Sequence, residues 1–227
     1  MAELAERFGL GAVATSRLQR LLDALAEDPL APTAVRDRRR IIDDHLADSL
    51  VALDLDPVRT ARRAADLGSG AGVPGLALAI ALPSTEFVLI DSVTRKCEFM
   101  RRAAAACDLA NVSVINARAE ELDPETGFDL VTARALASPA VVAEYAAPLL
   151  RIGGTVVVWR GRRNPEAELE AEVAADILGL QPGEIRRVQP YPGAQSRHLH
   201  LMSKVRETPD RFPRRPGVAA KRPLGRR

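Results

Sequence analysis

The chain is poor in cysteine: Cys97 and Cys107 are the only two among 227 residues. Both fall in one predicted helix, ten positions apart, which at about 1.5 Å per residue separates their α-carbons by roughly 15 Å. A disulfide needs about 4–7 Å. Both thiols are therefore expected as small buried apolar groups in a reducing compartment. There is no CxxC pair and no His/Cys cluster, so no metal site is expected. No run of about 20 apolar residues exists, which excludes a membrane-spanning helix. Met1 to Arg7 is acidic and is followed by polar residues, where an export leader is basic and then apolar, so no leader is expected. The three histidines build no serine–histidine–acid arrangement. His198 and His200 alternate on one face of a predicted strand, where a surface position is the simple expectation. His45 lies on the apolar face of a helix and is expected as a packed core residue.

What is present is an ordinary globular balance, 47% apolar and 27% charged. The length suits one sizeable core with a small helical extension. The overall charge of +2 hides an asymmetry: Arg206 to Arg227 carries eight basic and two acidic residues, a net +6 that leaves the body at −4. A basic tail on an acidic body suggests local contact with a polyanion. Aid to solubility is the plainer alternative.

Leu18, Leu21, Leu22 and Leu25 predict a helix over 16–27, with Ser16 as N-cap. A second helix is expected over 37–53, with Ile41, Ile42, His45, Leu46, Ser49, Leu50 and Leu53 on one face. From about residue 61 strands and helices alternate. Strands are expected at 63–67, 86–90, 112–116, 128–133, 154–159, 185–189 and 198–205, and helices near 74–82, 94–109, 138–149 and 166–178. Alternation of this kind implies a mostly parallel sheet covered on both faces, with its ligand beyond the carboxyl ends of the strands. The last two strands lack a helix between them and read as an edge hairpin. After Val205 the Pro- and Arg-rich segment reads as loop, or as mobile until bound.

The most informative segment is Ala65-Asp66-Leu67-Gly68-Ser69-Gly70-Ala71-Gly72-Val73-Pro74-Gly75, an apolar strand that runs into alternating glycines. Such glycines let backbone N–H groups approach a ligand closely. Two registers fit. Gly70 to Gly75 matches GxGxxG, with Asp91 21 residues beyond Gly70, as a dinucleotide ribose contact requires. Alternatively Asp66-x-Gly68-x-Gly70-x-Gly72 is the motif and the ligand is S-adenosylmethionine, with Asp66 at its methionine end and Asp91 on its ribose. For either acid a turn or helix cap is the plainer role. Ala119 and Glu120, after the third strand, suit an adenine. Arg134, at the end of the fourth strand, suits a phosphate or carboxylate at the mouth of the site; an ion pair with Asp129 or another nearby acid is its alternative.

Taken together, the glycine corner, His45-Leu46-Ala47-Asp48-Ser49-Leu50 and Asp91-Ser92 resemble the bacterial small-subunit rRNA guanine-N7 methyltransferases, the glucose-inhibited division protein B family. The likeness runs from about Val35 to Leu224. It takes in Lys96 with Phe99, Asn111-Val112, Arg118 with Glu120, Phe128-Asp129, Arg134-Ala135, Arg197-His198-Leu199 and Lys204. It closes on Phe212-Pro213-Arg214-Arg215-Pro216-Gly217 and Lys221-Arg222-Pro223-Leu224. Departures are the order of Arg95-Lys96, the Trp159-Arg160-Gly161 segment and the small Val73.

The resemblance implies an α/β chain with a methyltransferase Rossmann-like fold and a mostly parallel seven-stranded sheet. It implies a helical extension over 1–58, a catalytic domain over 59–205 and an RNA-contacting tail over 206–227. S-adenosyl-L-methionine is the implied cofactor, held by Asp66, Gly68, Gly70, Gly72, Val73, Asp91, Ala119, Glu120 and Arg134. Arg134 is also the implied catalytic residue. The implied partner is 16S rRNA, within a small-subunit particle, contacted by Arg197, Arg214, Arg215, Lys221 and Arg222. A cytoplasmic monomer with no metal and no membrane association is expected. A nicotinamide oxidoreductase and a noncatalytic RNA-binding module are the competing readings.

Overall fold

The computed structural model describes residues 1–123 and 127–226. The described residues hold one seven-stranded sheet in the order β3-β2-β1-β4-β5-β7-β6. Its strands are β1 (Arg63–Leu67), β2 (Glu86–Asp91), β3 (Val112–Asn116), β4 (Phe128–Arg134), β5 (Leu150–Arg160), β6 (Leu180–Val188) and β7 (Arg197–Lys204). β1 to β5 pair in parallel, while β7 runs antiparallel to both β5 and β6. The edge hairpin expected from the missing helix is therefore present. The strand order reverses at β1 and β4, and a crevice opens there beyond their carboxyl ends.

Alternate strand residues supply the two faces. Ala64, Phe87, Leu89, Leu130 and Val157 join one apolar cluster, and Ala65, Val88, Ile90, Val131 and Val156 join the other. The first face is covered by α1 (Ala2–Arg7), α2 (Ala12–Glu27), the segment from α3 (Arg38–Ile41) through α4 (Asp48–Leu50) to α5 (Asp56–Arg59), α6 (Gly75–Ala81) and α7 (Thr94–Ala106). The second is covered by α8 (Pro139–Ala146), α9 (Pro165–Leu178) and the short α10 (Val218–Lys221). The N-terminal helices thus share one core with the sheet.

Several boundaries differ from expectation. α2 starts at Ala12, with Gly11 rather than Ser16 at its N-cap, because Ala12 to Thr15 continue the helix without a breaker. The helix expected over 37–53 is capped by the Asp37 side chain but changes pitch along its length. α3 runs into a π-helical segment (Ile42–Ala47), then α4, then a 3-10 turn (Val51–Asp54). Apolar periodicity does not encode that widening.

The tail is loop, as composition suggests, apart from the four-residue α10, but it is docked on the body. Phe212 and Ala219 are buried in the second cluster. Arg214 closes on Glu144 of α8, which is fully buried: its Nε donates to Oε1 at 2.7 Å and its main-chain N–H at 3.1 Å. A buried carboxylate without a counter-charge is costly, and the tail supplies one. Arg214 is therefore withdrawn from the expected phosphate contacts. Arg215, Lys221 and Arg222 remain exposed, and Arg227 lies outside the described residues. Replacing Arg214 by Ala should strand the Glu144 charge and lower stability by about 3 kcal/mol. Arg215→Ala should change it by less than about 0.5 kcal/mol. Denaturant midpoints of the two variants check both values.

Candidate functional site

The corner after β1 is held by Asp66, whose side chain is fully buried. Oδ1 accepts the Thr132 hydroxyl of β4 at 2.8 Å, and Oδ2 accepts the Gly75 N–H at the start of α6 at 3.2 Å. Burial pushes this carboxyl up to about 6, against the hydrogen bonds and the Arg134 charge that favour its ionised form. Asp66 does not line the cavity beside it, so the contact expected with a bound methionine group is not what this geometry provides. It positions the loop instead.

Gly68, Gly70 and Gly72 all have positive φ, at +64°, +57° and +79°. A Cβ on Gly68 would stand 2.6 Å from Leu136 Cδ1, and one on Gly72 would stand 2.3 Å from Leu76 Cδ1. Conformation therefore favours glycine at all three positions, and at Gly68 and Gly72 a Cβ would also crowd a leucine. The Gly70 N–H donates to Asp91 Oδ2 at 3.0 Å, the Val93 N–H donates to Oδ1 at 2.9 Å, and Lys96 Nζ lies 3.5 Å from Oδ2. Asp91 thus performs the capping role that was its plainer alternative while also standing at the end of β2.

A cavity of about 320 Å³ lies over β1, β2 and β3. Gly68, Asp91, Ala119 and Glu120 line it together, whereas Gly70, Gly72 and Val73 do not line it. Leu136, Tyr145 and Gly217 also line it. The Gly217 N–H donates to Glu120 Oε1 at 3.0 Å, so the tail forms part of the cavity rim. Burial and the hydrogen bond to Glu120 push the Tyr145 hydroxyl up to about 12.

A second cavity, about 540 Å³, lies over β4, β5 and the start of β7. Asp44, His45, Asp48, Arg134, Trp159 and Arg197 line it, and Ala135 belongs to both cavities. Arg134 therefore faces the second cavity rather than the first. It makes the ion pair that was its alternative, not with Asp129, which holds Arg151, but with Asp48 at the start of α4, and it also meets the π-helical segment. Its Nη1 donates to Asp48 Oδ2 at 2.9 Å and to the Asp44 carbonyl at 2.8 Å, and its Nη2 lies 3.3 Å from His45 Nδ1. Arginine only donates, so Nδ1 accepts and the ring proton sits on Nε2, 2.9 Å from Thr33 Oγ1. Burial and the Arg134 charge hold His45 below the usual imidazole range, neutral at pH 7. Its partners make it a wall of this cavity rather than a core residue.

Arg197 Nε stands 3.3 Å from Asp48 Oδ1, and the Trp159 indole N–H donates to the Asp48 carbonyl at 2.7 Å. Burial pushes the Asp44 carboxyl up, but the Tyr191 hydroxyl with the Arg40 and Arg197 charges holds it below the usual carboxylate range overall. His198 and His200 are buried rather than exposed, because β7 is an inner strand between β5 and β6. Burial pulls His200 down to about 4.

The sequence matches the family model GidB, rRNA small subunit methyltransferase G, over residues 16–199. The chain belongs to this family. It is 42% identical over 197 residues to Ribosomal RNA small subunit methyltransferase G of Rubrobacter xylanophilus, covering 83% of this chain and 75% of that one. It is 39% identical over 217 residues to the protein of the same name from Chloroflexus aggregans, covering 92% and 90%. The fold matches a SAM-dependent methyltransferase from Aquifex aeolicus with a TM-score of 0.59 at 16% identity, over 74% of this chain and 94% of that one.

As a GidB-family chain with this fold, the protein is an S-adenosylmethionine-dependent methyltransferase. The first cavity fits that cofactor. Gly68 leaves its wall free of a Cβ, and the carboxylates of Asp91 and Glu120 supply acceptors for hydroxyl and amino groups. The sequence alone assigns no role to Asp44, Asp48 or Trp159. Asp48 lay inside the quoted His45–Leu50 segment, but nothing in the sequence showed that β4 and β5 would face it.

Gly68→Ala, which forces a Cβ onto a left-handed backbone at the cavity wall, should weaken S-adenosylmethionine binding at least tenfold by calorimetry. The Asp66 ionisation makes a second prediction. Its folded pKa lies above its ordinary value of 3.8, so its contribution to stability is full below about pH 4 and is lost as pH rises through about 6. Asp66→Asn should cost stability throughout. Its deficit relative to the wild type should narrow by on the order of 2–3 kcal/mol between pH 4 and pH 7, as read from denaturant midpoints.

Proposed function

We propose that the chain transfers a methyl group from S-adenosylmethionine to N7 of one guanine in the 16S rRNA of the small ribosomal subunit. The observation that carries this reading is the meeting of the two cavities at Ala135, over the point where the strand order reverses. One cavity suits the donor. The other is walled by cations and carboxylates and suits a nucleobase. Membership of the family supports a small-subunit rRNA as acceptor.

When bound, the donor supplies an electrophilic methyl, and the N7 lone pair forms the new C–N bond as the C–S bond breaks and its electron pair goes to sulfur. N7 carries no proton, so the protein need not provide a general base. The residues around Ala135 have to hold the base edge in line with the methyl group, and alignment of this kind accounts for roughly 7–11 kcal/mol in well-oriented reactions. Arg134, fixed by Asp48 and His45, positions the segment between the two cavities. In A-form RNA N7 lies in a deep, narrow groove. The guanine therefore has to sit in an open or distorted region, or be turned out of the stack.

Incubation of the protein with methyl-labelled S-adenosylmethionine and unmethylated 16S rRNA, free and within 30S subunits, should place label at N7 of a single guanine. Absence of label with both forms, when donor binding is intact, overturns the reading. The exposed tail cations are proposed to meet RNA phosphates. Replacing Arg215, Lys221 and Arg222 together by Ala should lower the slope of log affinity against log salt by about 2.

A further inference from the structure

We infer that Asp48 reads the target base, accepting the N1–H and the N2 amino group of the guanine in the second cavity. The inference rests on the reading of the chain as a guanine-N7 methyltransferase and adds to it the group that distinguishes guanine from other bases.

Asp48 is 5% exposed and lines the second cavity. Its Oδ2 accepts Arg134 Nη1 at 2.9 Å, but its buried Oδ1 accepts no hydrogen bond from the described residues. Arg197 Nε lies 3.3 Å from Oδ1 and balances its charge without hydrogen-bonding geometry. A buried acceptor left in this state costs free energy unless something else satisfies it. The neighbouring carboxylate is occupied: Asp44 Oδ1 accepts the Tyr191 hydroxyl at 2.6 Å, and Oδ2 faces Arg40 at 3.4 Å.

The position is also held firmly. The Trp159 indole fixes the Asp48 main chain from β5, and Arg134 fixes its side chain from β4. The carboxylate thus stands on two strands of the sheet rather than on a free loop.

The chemistry of the acceptor matches. An ionised carboxylate only accepts hydrogen bonds. Guanine is the purine that presents two adjacent donors, N1–H and the N2 amino group, and adenine presents an unprotonated N1 there. That face lies across the ring from N7. A guanine seated against Asp48 therefore turns its N7 edge away, toward the Ala135 boundary with the donor cavity. Adenine in the same pose would set a lone pair against a buried negative charge, which rejects it.

The test uses the full chain and the rRNA, free or in subunits, that the mapping assay shows to be accepted. Guanine or inosine is placed at the mapped position by splinted ligation. Inosine keeps N1–H, O6 and N7 and lacks only the N2 amino group. Methyl transfer is measured for the wild type and for Asp48→Asn, with S-adenosylmethionine affinity and denaturation midpoint as controls. A hydrogen bond to a charged group of this kind corresponds to roughly a tenfold to hundredfold effect. The wild type should lose that factor in kcat/KM on inosine, and Asp48→Asn should treat the two bases within about twofold. A role confined to holding Arg134 would slow both bases equally and leave the inosine penalty intact. That result overturns the inference, as does a wild type that methylates inosine at the rate of guanine. Should Asn at this position not fold, Asp48→Glu, which keeps the charge but displaces the carboxylate, takes its place with the same expected loss of discrimination. A wild type that leaves guanine itself unmethylated overturns the proposed function, a failure distinct from the other two.

Discussion

A single buried carboxylate joins the parts on which the site depends. Asp66 ends β1, receives Thr132 from β4 and Gly75 from α6, and has no exposed surface. Through it the glycine loop keeps a fixed place relative to the strand that carries Arg134 and Ala135. The first cavity is lined by residues that follow β1, β2 and β3, and the second by residues of β4, β5 and β7. A group in water would pay little to ionise. In this position burial raises its pKa, and the hydrogen bonds it receives oppose the rise.

The arginines divide by what lies beneath them. Arg134, Arg197 and Arg214 each meet an acid that is at least partly buried, and each is fixed in the folded protein. Arg215, Lys221 and Arg222 are exposed on the tail that Arg214 anchors. Composition weighs these cations alike, but their availability differs. The same anchoring brings Gly217 onto Glu120, so that a segment distant in sequence completes the rim of the first cavity.

The π-helical segment gives the second cavity its character. The changed pitch over Ile42–Ala47 sets the Asp44 carbonyl, His45 and Asp48 against one guanidinium. A regular helix would follow the apolar stripe and leave His45 among core side chains. π-helical turns recur at functional sites for this kind of reason: they trade regular pairing for a re-aimed group.

The sequence by itself determined the alternation of strands and helices, the glycine corner, the edge hairpin and the positions of Gly68, Asp91, Ala119 and Glu120 at or just after successive strand ends. Each of these rests on local spacing, on periods of 2 and 3.6, or on the need for a residue without a Cβ. Only the tertiary structure decided that Asp66 is a buried tie, that Arg134 faces the second cavity, that Arg214 neutralises Glu144 and that Asp48 stands beside Trp159. Those outcomes depend on contacts between residues about 65 to 110 positions apart. The direction and partner of a charged side chain are set by the burial and charge that other elements bring to it. No pattern within a single segment carries that information.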